Sequence, residues 1–384
     1  MIKIVFMYYD VVIAGGSISG LLCAREIAKN GHSVIVLEED YEIGTPEHCG
    51  GLVSGAALEE LGIVPHTKTL EHIIDKAEIF SPSGKRFSIK TKNQMVVEIN
   101  RRSLDKQIAL QAKKNGAEIR VKTSVKKFED GQVETSEGKL NCKIIVDARG
   151  VASLINRDRD GIILSAQYEV YGDWIKKGVV QVFFDQIKYP SFFAWIIPTK
   201  DGVGKVGLAG KGINVAGALE EFLQDKGSFS SIRKIFAPIW IKGPINQFAS
   251  KNIVVIGDAA GQAKPTTAGG IFSCGMGGIF AGRAISNFLR SGNIKDLDEY
   301  QKNWTKKFGK EFDKQLMARK ILERLDNQDI DKLFESISPE ILEEISNTDD
   351  FDFHTSSIVK LLGIKGSIKT AQTIIGSEIK KLLP

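Results

Sequence analysis

Apolar positions along the chain recur in two periods, and the switch between them marks out the elements. Val11 to Ala14 is a short unbroken apolar run, the pattern of a strand buried on both faces. It breaks at Gly15-Gly16, after which Leu21, Leu22, Ala24, Ile27 and Ala28 recur at helical spacing up to Asn30-Gly31, a C-cap signature. Ser33 to Leu37 reads as a second apolar strand, closed by Glu38. A turn-rich loop through Tyr41 to Leu52 leads to a helix from about Gly55 to Leu61. Ile79-Phe80 and Phe87-Ser88-Ile89 flank Ser81-Pro82-Ser83-Gly84 and predict a hairpin. Val96 to Ile99 is a strand, and Leu104, Ile108 and Ala112 set a helix that ends at Asn115-Gly116. Ala117 to Val121, Ser124 to Phe128 and Lys143 to Val146 follow as strands, the last ending at Asp147-Ala148-Arg149-Gly150.

From about residue 161 to 243 the period changes to two. Ile163 to Tyr171, Val179 to Phe184, Phe192 to Ile197 and Lys205 to Ala209 alternate as half-buried strands, with a helix near Gly217 to Leu223. This texture predicts an antiparallel sheet inserted into an α/β unit as the cover of a substrate cavity. Ile253 to Ile256 returns to a buried strand ending at Gly257-Asp258-Ala259-Ala260-Gly261, and Pro265-Thr266-Thr267-Ala268-Gly269-Gly270 precedes a long apolar helix to about Leu289. The expected division is 8–160 with 244–295 as one discontinuous domain, 161–243 as the substrate domain, and 296–384 as a helical C-terminal region. The last predicted helix carries Ile368, Ala371, Ile374, Ile375, Ile379 and Leu382 on one stripe, either a core face or an interfacial one resting on a membrane.

Composition narrows the class. At 384 residues the chain exceeds one compact core, and 42% hydrophobic with 26% charged residues describes a soluble globular protein. No apolar run approaches the roughly 20 residues of a bilayer span, and Met1 to Met7 is too short for a signal peptide. Met1 to Met7 reads as a leader, or Met7 as an alternative start, and the expected location is cytoplasmic, with membrane contact peripheral at most. Cys23, Cys49, Cys142 and Cys274 form no C-x-x-C pair, so zinc, iron–sulfur and other metal ligation is not expected. A net charge of +5 is mild and comes without a nucleic-acid motif, so nucleic acid is not an expected partner.

The strand–glycine turn–helix–strand–acid order at the start is the dinucleotide-binding layout. Its turn brings bare backbone N–H groups to a helix N-terminus, where a pyrophosphate is stabilised. Gly15 and Gly20 occupy the first and third glycine positions of G-x-G-x-x-G; the second is Ser17, and Gly16 in the preceding slot offers the flexibility instead. Glu38 stands where a carboxylate accepts hydrogen bonds from the adenosine ribose. Cys49, before Gly50-Gly51, reads either as a small buried residue or as a side chain presented to a cofactor by a backbone that favours glycine.

The first βαβ turn, Asp147-Ala148-Arg149-Gly150 and Gly257-Asp258 before the Pro-Thr-Thr-Ala-Gly-Gly helix start occur in an order that resembles the FAD-dependent family typified by p-hydroxybenzoate hydroxylase. The resemblance implies an α/β fold: a Rossmann-like FAD-binding domain with an inserted antiparallel-sheet substrate domain and a helical C-terminal region. It implies FAD held by Gly15, Gly16, Ser17, Ser19, Gly20, Glu38 and Glu39 at the first corner. Cys49, Gly50, Arg101 and Gly150 would flank it, and Gly257, Asp258, Gly269, Gly270 and Ile271 would close it from the last helix start. That helix would point its positive end at the flavin N1 and O2 edge.

Within this superfamily the chain is similar to geranylgeranyl reductase. Cys49-Gly50-Gly51 resembles that family's cysteine–glycine loop, and Phe193-Ala194-Trp195-Ile196-Ile197-Pro198 resembles its Tyr-x-Trp-x-Phe-Pro motif, with Phe for Tyr and Ile for Phe. Gly207-Leu208-Ala209 departs from the following Gly-x-Gly. The likeness implies reduction of C=C bonds in a geranylgeranyl-bearing lipid or a prenyl diphosphate by hydride from reduced flavin. Cys49, Trp195 and Phe193 would be catalytic, and Phe183, Phe192, Phe193, Trp195, Ile197 and Pro198 would line the prenyl pocket. Cys49 would be either the proton source or a residue that only shapes the site, and the aromatic faces would stabilise a tertiary cationic carbon. With one dinucleotide fingerprint in the chain, electrons would come from a transiently docked NAD(P)H or from reduced ferredoxin. Two alternatives stand beside this reading: a flavin-dependent monooxygenase or halogenase, because the same hexapeptide resembles Trp-x-Trp-x-Ile-Pro, and a flavoprotein passing electrons to a membrane quinone.

Overall fold

The computed structural model describes residues 8–90, 94–348 and 350–353. The stretch Met1 to Met7 and the stripe from Ile368 to Leu382 lie outside the described residues. In chain order, β1 (Tyr8–Ala14), α1 (Ile18–Lys29), β2 (Val34–Leu37), β3 (Leu52–Ser54), β4 (Val96–Ile99), α2 (Arg101–Lys114) and β5 (Gly138–Asp147) come first. β6 (Ile162–Tyr171), β7 (Ala194–Lys200), β8 (Val203–Gly210), α3 (Val215–Gln224) and β9 (Ser230–Trp240) form the middle. β10 (Ile253–Val255), α4 (Ile271–Ser291) and α5 (Asp298–Leu322) follow, ahead of helices Asn327–Ser336 and Pro339–Thr348.

Among the described residues the longer strands fall into two main sheets. The first is built on parallel pairs: β10 beside β5, β5 beside β1, β1 beside β2, and β2 beside Glu118–Arg120. β1 is buried because its two faces are covered differently. Val11 and Ile13 pack under α1, α2, α4 and α5, where Leu21, Leu22, Ile27, Trp304 and Phe308 fill the space. Val12 and Ala14 face the other way, onto Val125, Val133 and Leu140 of the antiparallel excursion that ends in β5. Helix periodicity and strand periodicity therefore meet at one core.

The second sheet runs β9–β6–β8–β7 and continues through Val179–Phe183 to Lys76–Phe80 and Arg86–Ile89. It is antiparallel except where Val179–Phe183 lies parallel to Lys76–Phe80. The hairpin expected at Ile79 to Ile89 thus extends the substrate sheet rather than standing inside the 8–160 segment. A two-stranded hairpin buries too little alone, and docking on Val179–Phe183 supplies its partner.

Alternation gives this sheet two distinct faces. Ala166, Tyr168, Val170, Ala194, Ile196 and Leu208 pack on Leu219, Phe222 and Leu223 of α3. Gln167, Trp195, Ile197, Lys205 and Gly207 take the opposite phase and look toward the first domain. This phase corrects two expectations. Phe183 stacks on Phe80 at 4.6 Å and meets Phe222 at 5.2 Å, under α3 and away from the dinucleotide corner. Pro198 follows Ala194 and Ile196 onto the α3 phase of β7, so neither residue joins the pocket wall. Phe192 and Phe193 precede β7 in a turn instead of opening the strand.

Candidate active site

The first corner is assembled by β1, the glycine turn and α1. Gly15 has φ +110°, and a Cβ there would collide with the Ala148 carbonyl of the loop after β5, so the close crossing of these chain segments requires glycine. Ser17 is the N-cap of α1 and is exposed, and its side chain makes no cap bond among the described residues. The N-terminal N–H groups of α1 are therefore left for a ligand. Glu38, at the end of β2, accepts a hydrogen bond from the Gly16 N–H at 2.7 Å and from the Asp40 N–H at 3.1 Å. Burial raises its carboxyl above the usual range, and those two N–H groups pull it back. Glu39 is exposed beside it, whereas Ser19 is buried against Gly257 instead of facing the turn.

The second and third segments converge on the same place. Gly150 begins a short turn after β5 with φ +58°, adjacent to the Asp258 side chain. Asp258 is held at 3.2 Å by the Cys274 thiol, which donates to it from the first turn of α4. Burial raises the Asp258 carboxyl, opposed by Cys274 and by the Arg101 guanidinium. Gly270 caps α4 with no side-chain cap bond recorded, and Gly269 and Ile271 flank it. Arg101 opens α2 and reaches Asp105 with both carboxylate oxygens at 3.1 Å. Its Nε is buried and has no hydrogen-bond partner among the described residues. A buried guanidinium donor without a partner is costly, and a ligand acceptor beside Asp258 and the α1 N-terminus would satisfy it. Uncapped helix starts, an unsatisfied arginine donor and a carboxylate at the ribose position together fit FAD.

The Cys49 loop lies between this corner and the substrate sheet. Cys49 is half-buried, and its Sγ accepts a hydrogen bond from the Gly51 N–H at 3.3 Å. Arg101 stands beside the thiol, and the backbone N–H of Arg101 donates to Glu47 at 3.3 Å. Glu47 in turn accepts from Lys205 of β8 at 2.8 Å and from Arg233 of β9 at 3.1 Å. Burial raises the Glu47 carboxyl, but Lys205 and Arg233 outweigh it and hold the group below the usual range. The loop is thus anchored by charge to the sheet that faces it.

An aromatic wall rises next to the loop. Phe192 and Phe193 stack at 4.2 Å, and Trp195 meets Phe193 edge-on at 6.1 Å. These rings share an apolar cluster with Ile163, Ala209, Ile241 and Ala268, the last from the segment before α4. Ile197 is the neighbour of Gly50. Arg319 of α5 donates to the Pro265 carbonyl at 3.1 Å and the Ser191 carbonyl at 2.8 Å, so the C-terminal region ties the wall to the third corner segment.

Of the expected residues, the structure brings Gly15, Gly16, Glu38, Arg101, Gly150, Asp258 and Gly270 to one corner and Cys49, Gly50, Phe192, Phe193, Trp195 and Ile197 to its edge. Glu47, Gln167, Lys205, Arg233 and Arg319 went unread. The signal for Gln167 and Lys205 was a polar side chain on the inward phase of an alternating strand. Among the described residues no helix is long and apolar enough to cross a membrane.

Comparison with known proteins gives this geometry a family. Residues 8–216 match the FAD binding domain family. The chain is 32% identical over 366 residues to digeranylgeranylglycerophospholipid reductase 2 of Methanothermobacter thermautotrophicus, covering 88% of this chain and 94% of that protein. It is 30% identical over 357 residues to digeranylgeranylglycerophospholipid reductase of Methanocaldococcus jannaschii, covering 86% and 90%. In fold it is similar to a geranylgeranyl bacteriochlorophyll reductase-like protein of Thermoplasma acidophilum, with a TM-score of 0.85 at 21% identity over 98% of this chain and all of that one. The chain belongs to the FAD-binding domain family and, within it, to the geranylgeranyl reductase family of the digeranylgeranylglycerophospholipid type.

Proposed function

We propose that this protein is an FAD-dependent reductase that saturates C=C bonds in the geranylgeranyl chains of a glycerophospholipid. The observation that carries the reading is that Gly50 lies against Ile197 and the Cys49 carbonyl against Gln167, which holds Trp195, while Trp195 shares a cluster with Phe192, Phe193 and Ala268 from the segment before α4. A long apolar chain needs a lining without unsatisfied polar groups, and this wall supplies aromatic and aliphatic surface. The reductase names of its relatives support this reading over the halogenase and quinone alternatives.

FAD held at the corner would, when reduced, supply the hydride that carries the two electrons of each saturation. The protein's own residues supply the rest. The Cys49 S–H would give its proton to one alkene carbon, the other carbon would take the hydride, and the thiolate would regain a proton from solvent, so each bond gains two hydrogens. The Gly51 N–H, which donates to Sγ, would stabilise the negative charge that the leaving proton creates. Positive charge developing at the substituted carbon faces the rings of Phe193 and Trp195, which attract it by on the order of 2 kcal/mol when desolvated. Arg101 and Glu38 bind and orient the cofactor at the corner. The electron donor is a small acidic carrier such as ferredoxin, in keeping with a net charge of +5, with NAD(P)H as the competing source. Lipid delivery is by peripheral contact with a membrane surface.

The reading is tested by incubating the reduced holoprotein, without oxygen, with a digeranylgeranylglycerophospholipid and weighing the lipid. A gain of two hydrogens per saturated bond is expected; an unchanged lipid would overturn the proposal. A prenyl diphosphate offered in parallel distinguishes the head group, and loss of the flavin absorbance with reduced ferredoxin against NADPH identifies the donor.

A further inference from the structure

Three strands contribute one transverse row to the face that meets the Cys49 loop. Gln167 of β6 pairs directly with Gly207 of β8, and Gly207 pairs directly with Trp195 of β7. Direct cross-strand partners project to the same face, so Gln167, Gly207 and Trp195 lie side by side. The outer two touch across the middle one: the indole Nε1–H of Trp195 donates to Gln167 Oε1 at 3.0 Å. The other end of the same amide, Nε2–H, donates to the Cys49 carbonyl at 3.4 Å. The bridge exists because the middle position has no side chain. A Cβ on Gly207 would lie 2.5 Å from the indole ring and 2.7 Å from the Ala166 carbonyl, and the latter is backbone that cannot step aside.

We propose that Gln167 is a positioning residue that locks the Trp195 ring to the Cys49 backbone through a single amide, with Gly207 as the gap that lets the indole cross. Gln167 is 6% exposed, and both polar ends of its amide are engaged, so its own rotamer is fixed. Trp195 belongs to two apolar clusters, one with Phe192, Phe193 and Ala268 and one with Leu52 and Ile197. Holding its ring plane therefore sets the wall along which a chain slides. Holding the Cys49 carbonyl sets where the thiol stands against that wall. The consequence, which rests on the reductase reading, is control over which double bond stops at the thiol. A loosened tether lets the chain halt in several registers.

The test uses the FAD-loaded full-length protein and two independent readouts. Without lipid, the Trp195 indole N–H resonance is followed by NMR, assigned by its absence in Trp195→Phe, and its solvent exchange is measured. Gln167→Leu is expected to speed that exchange by at least about tenfold, since the indole loses its acceptor. With the lipid, the same variant is expected to lose on the order of 10–100-fold in kcat with little change in KM, and to accumulate partly saturated products. Gly207→Ala is expected to reproduce both effects. In the double variant Gly207→Ala/Trp195→Phe the smaller ring removes the clash with the indole and leaves only that with the Ala166 carbonyl, so the kinetic loss should fall well short of the two single losses combined. Unchanged indole exchange in Gln167→Leu overturns the tether, and fully additive losses in the double variant overturn the role of Gly207. Should the parent protein leave the lipid unreduced, the exchange measurement still decides the tether while the reductase reading falls separately.

Discussion

The Lys205 ammonium and the Glu98 carboxyl meet in a contact closed to nearly all water: Nζ lies 2.6 Å from Oε1, with side chains 3% and 0% exposed. Lys205 comes from β8 of the substrate sheet and Glu98 from β4, and the same ammonium also binds Glu47 at 2.8 Å in the loop that presents Cys49. One buried cation thereby joins three segments that are far apart in sequence. Removing it takes from Glu98 the ammonium that stabilises its charged form and leaves Glu47 with Arg233 alone. At about pH 9, where Glu98 is charged, Lys205→Met is expected to cost about 3–5 kcal/mol of unfolding free energy, read by urea denaturation. Lys205→Met/Glu98→Leu should recover part of that loss, because Glu47 keeps Arg233 as a partner.

The same cluster predicts a pH dependence of stability. Burial pushes the Glu98 carboxyl up to about 8 from an ordinary value of 4.5, with Lys205 pulling it down and Glu71 adding to the rise. The folded protein then holds a proton that the unfolded chain has already released, so this contribution is full below the unfolded value and is lost as pH rises through the folded one. Unfolding free energy should therefore fall between about pH 5 and about pH 9. Glu98→Gln keeps the shape without the titration, so its stability relative to the parent should improve across that window. Parallel slopes for the two proteins would rule the assignment out.

How much of this was readable beforehand follows from the range of the interactions. β1, the glycine turn, α1 and β2 are local, and their pattern named Gly15, Gly16 and Glu38 directly. Cys49 and Trp195 were visible as motif residues. Phe183 was misplaced because alternation reveals two faces without saying which one meets the cofactor. The parallel docking of Val179–Phe183 on Lys76–Phe80 joins residues about a hundred positions apart, and no local pattern encodes that choice. β9 carries no clear strand signal because Ile232 and Phe236 sit exposed on its outer phase, which blurs the apolar alternation. Gln167 and Lys205 look like surface residues until the opposing loop covers them.

Arg101 offers a test of cofactor binding. Arg101→Lys keeps a cation for Asp105 but removes the unpartnered Nε donor. FAD affinity should drop by roughly tenfold, the worth of one hydrogen bond to a charged group, and the melting temperature of the cofactor-free protein, read alongside, reports the separate cost of rearranging the buried Asp105 pair. The measurement is fluorescence titration of FAD into the stripped protein. An unchanged affinity would mean that the Nε serves some other ligand.

Cys49 separates acid catalysis from site shape. If its thiol delivers the proton, Cys49→Ala should retain FAD and bind the lipid yet reduce it on the order of 10²–10⁴-fold more slowly, the usual contribution of a positioned acid. Cys49→Ser tests the alternative in the same experiment. A serine hydroxyl is close in size but a far weaker acid, so it should fail nearly as badly if proton transfer is the role and succeed if the side chain only fills space. Single-turnover reoxidation of the reduced holoprotein by the lipid isolates the chemical step from donor docking. Solvent deuterium should then slow the parent protein and leave Cys49→Ala with a different isotope effect, because its proton must come from water by another route. Equal rates in the parent and in Cys49→Ala would assign the acid to another group and leave the loop a purely structural part of the pocket.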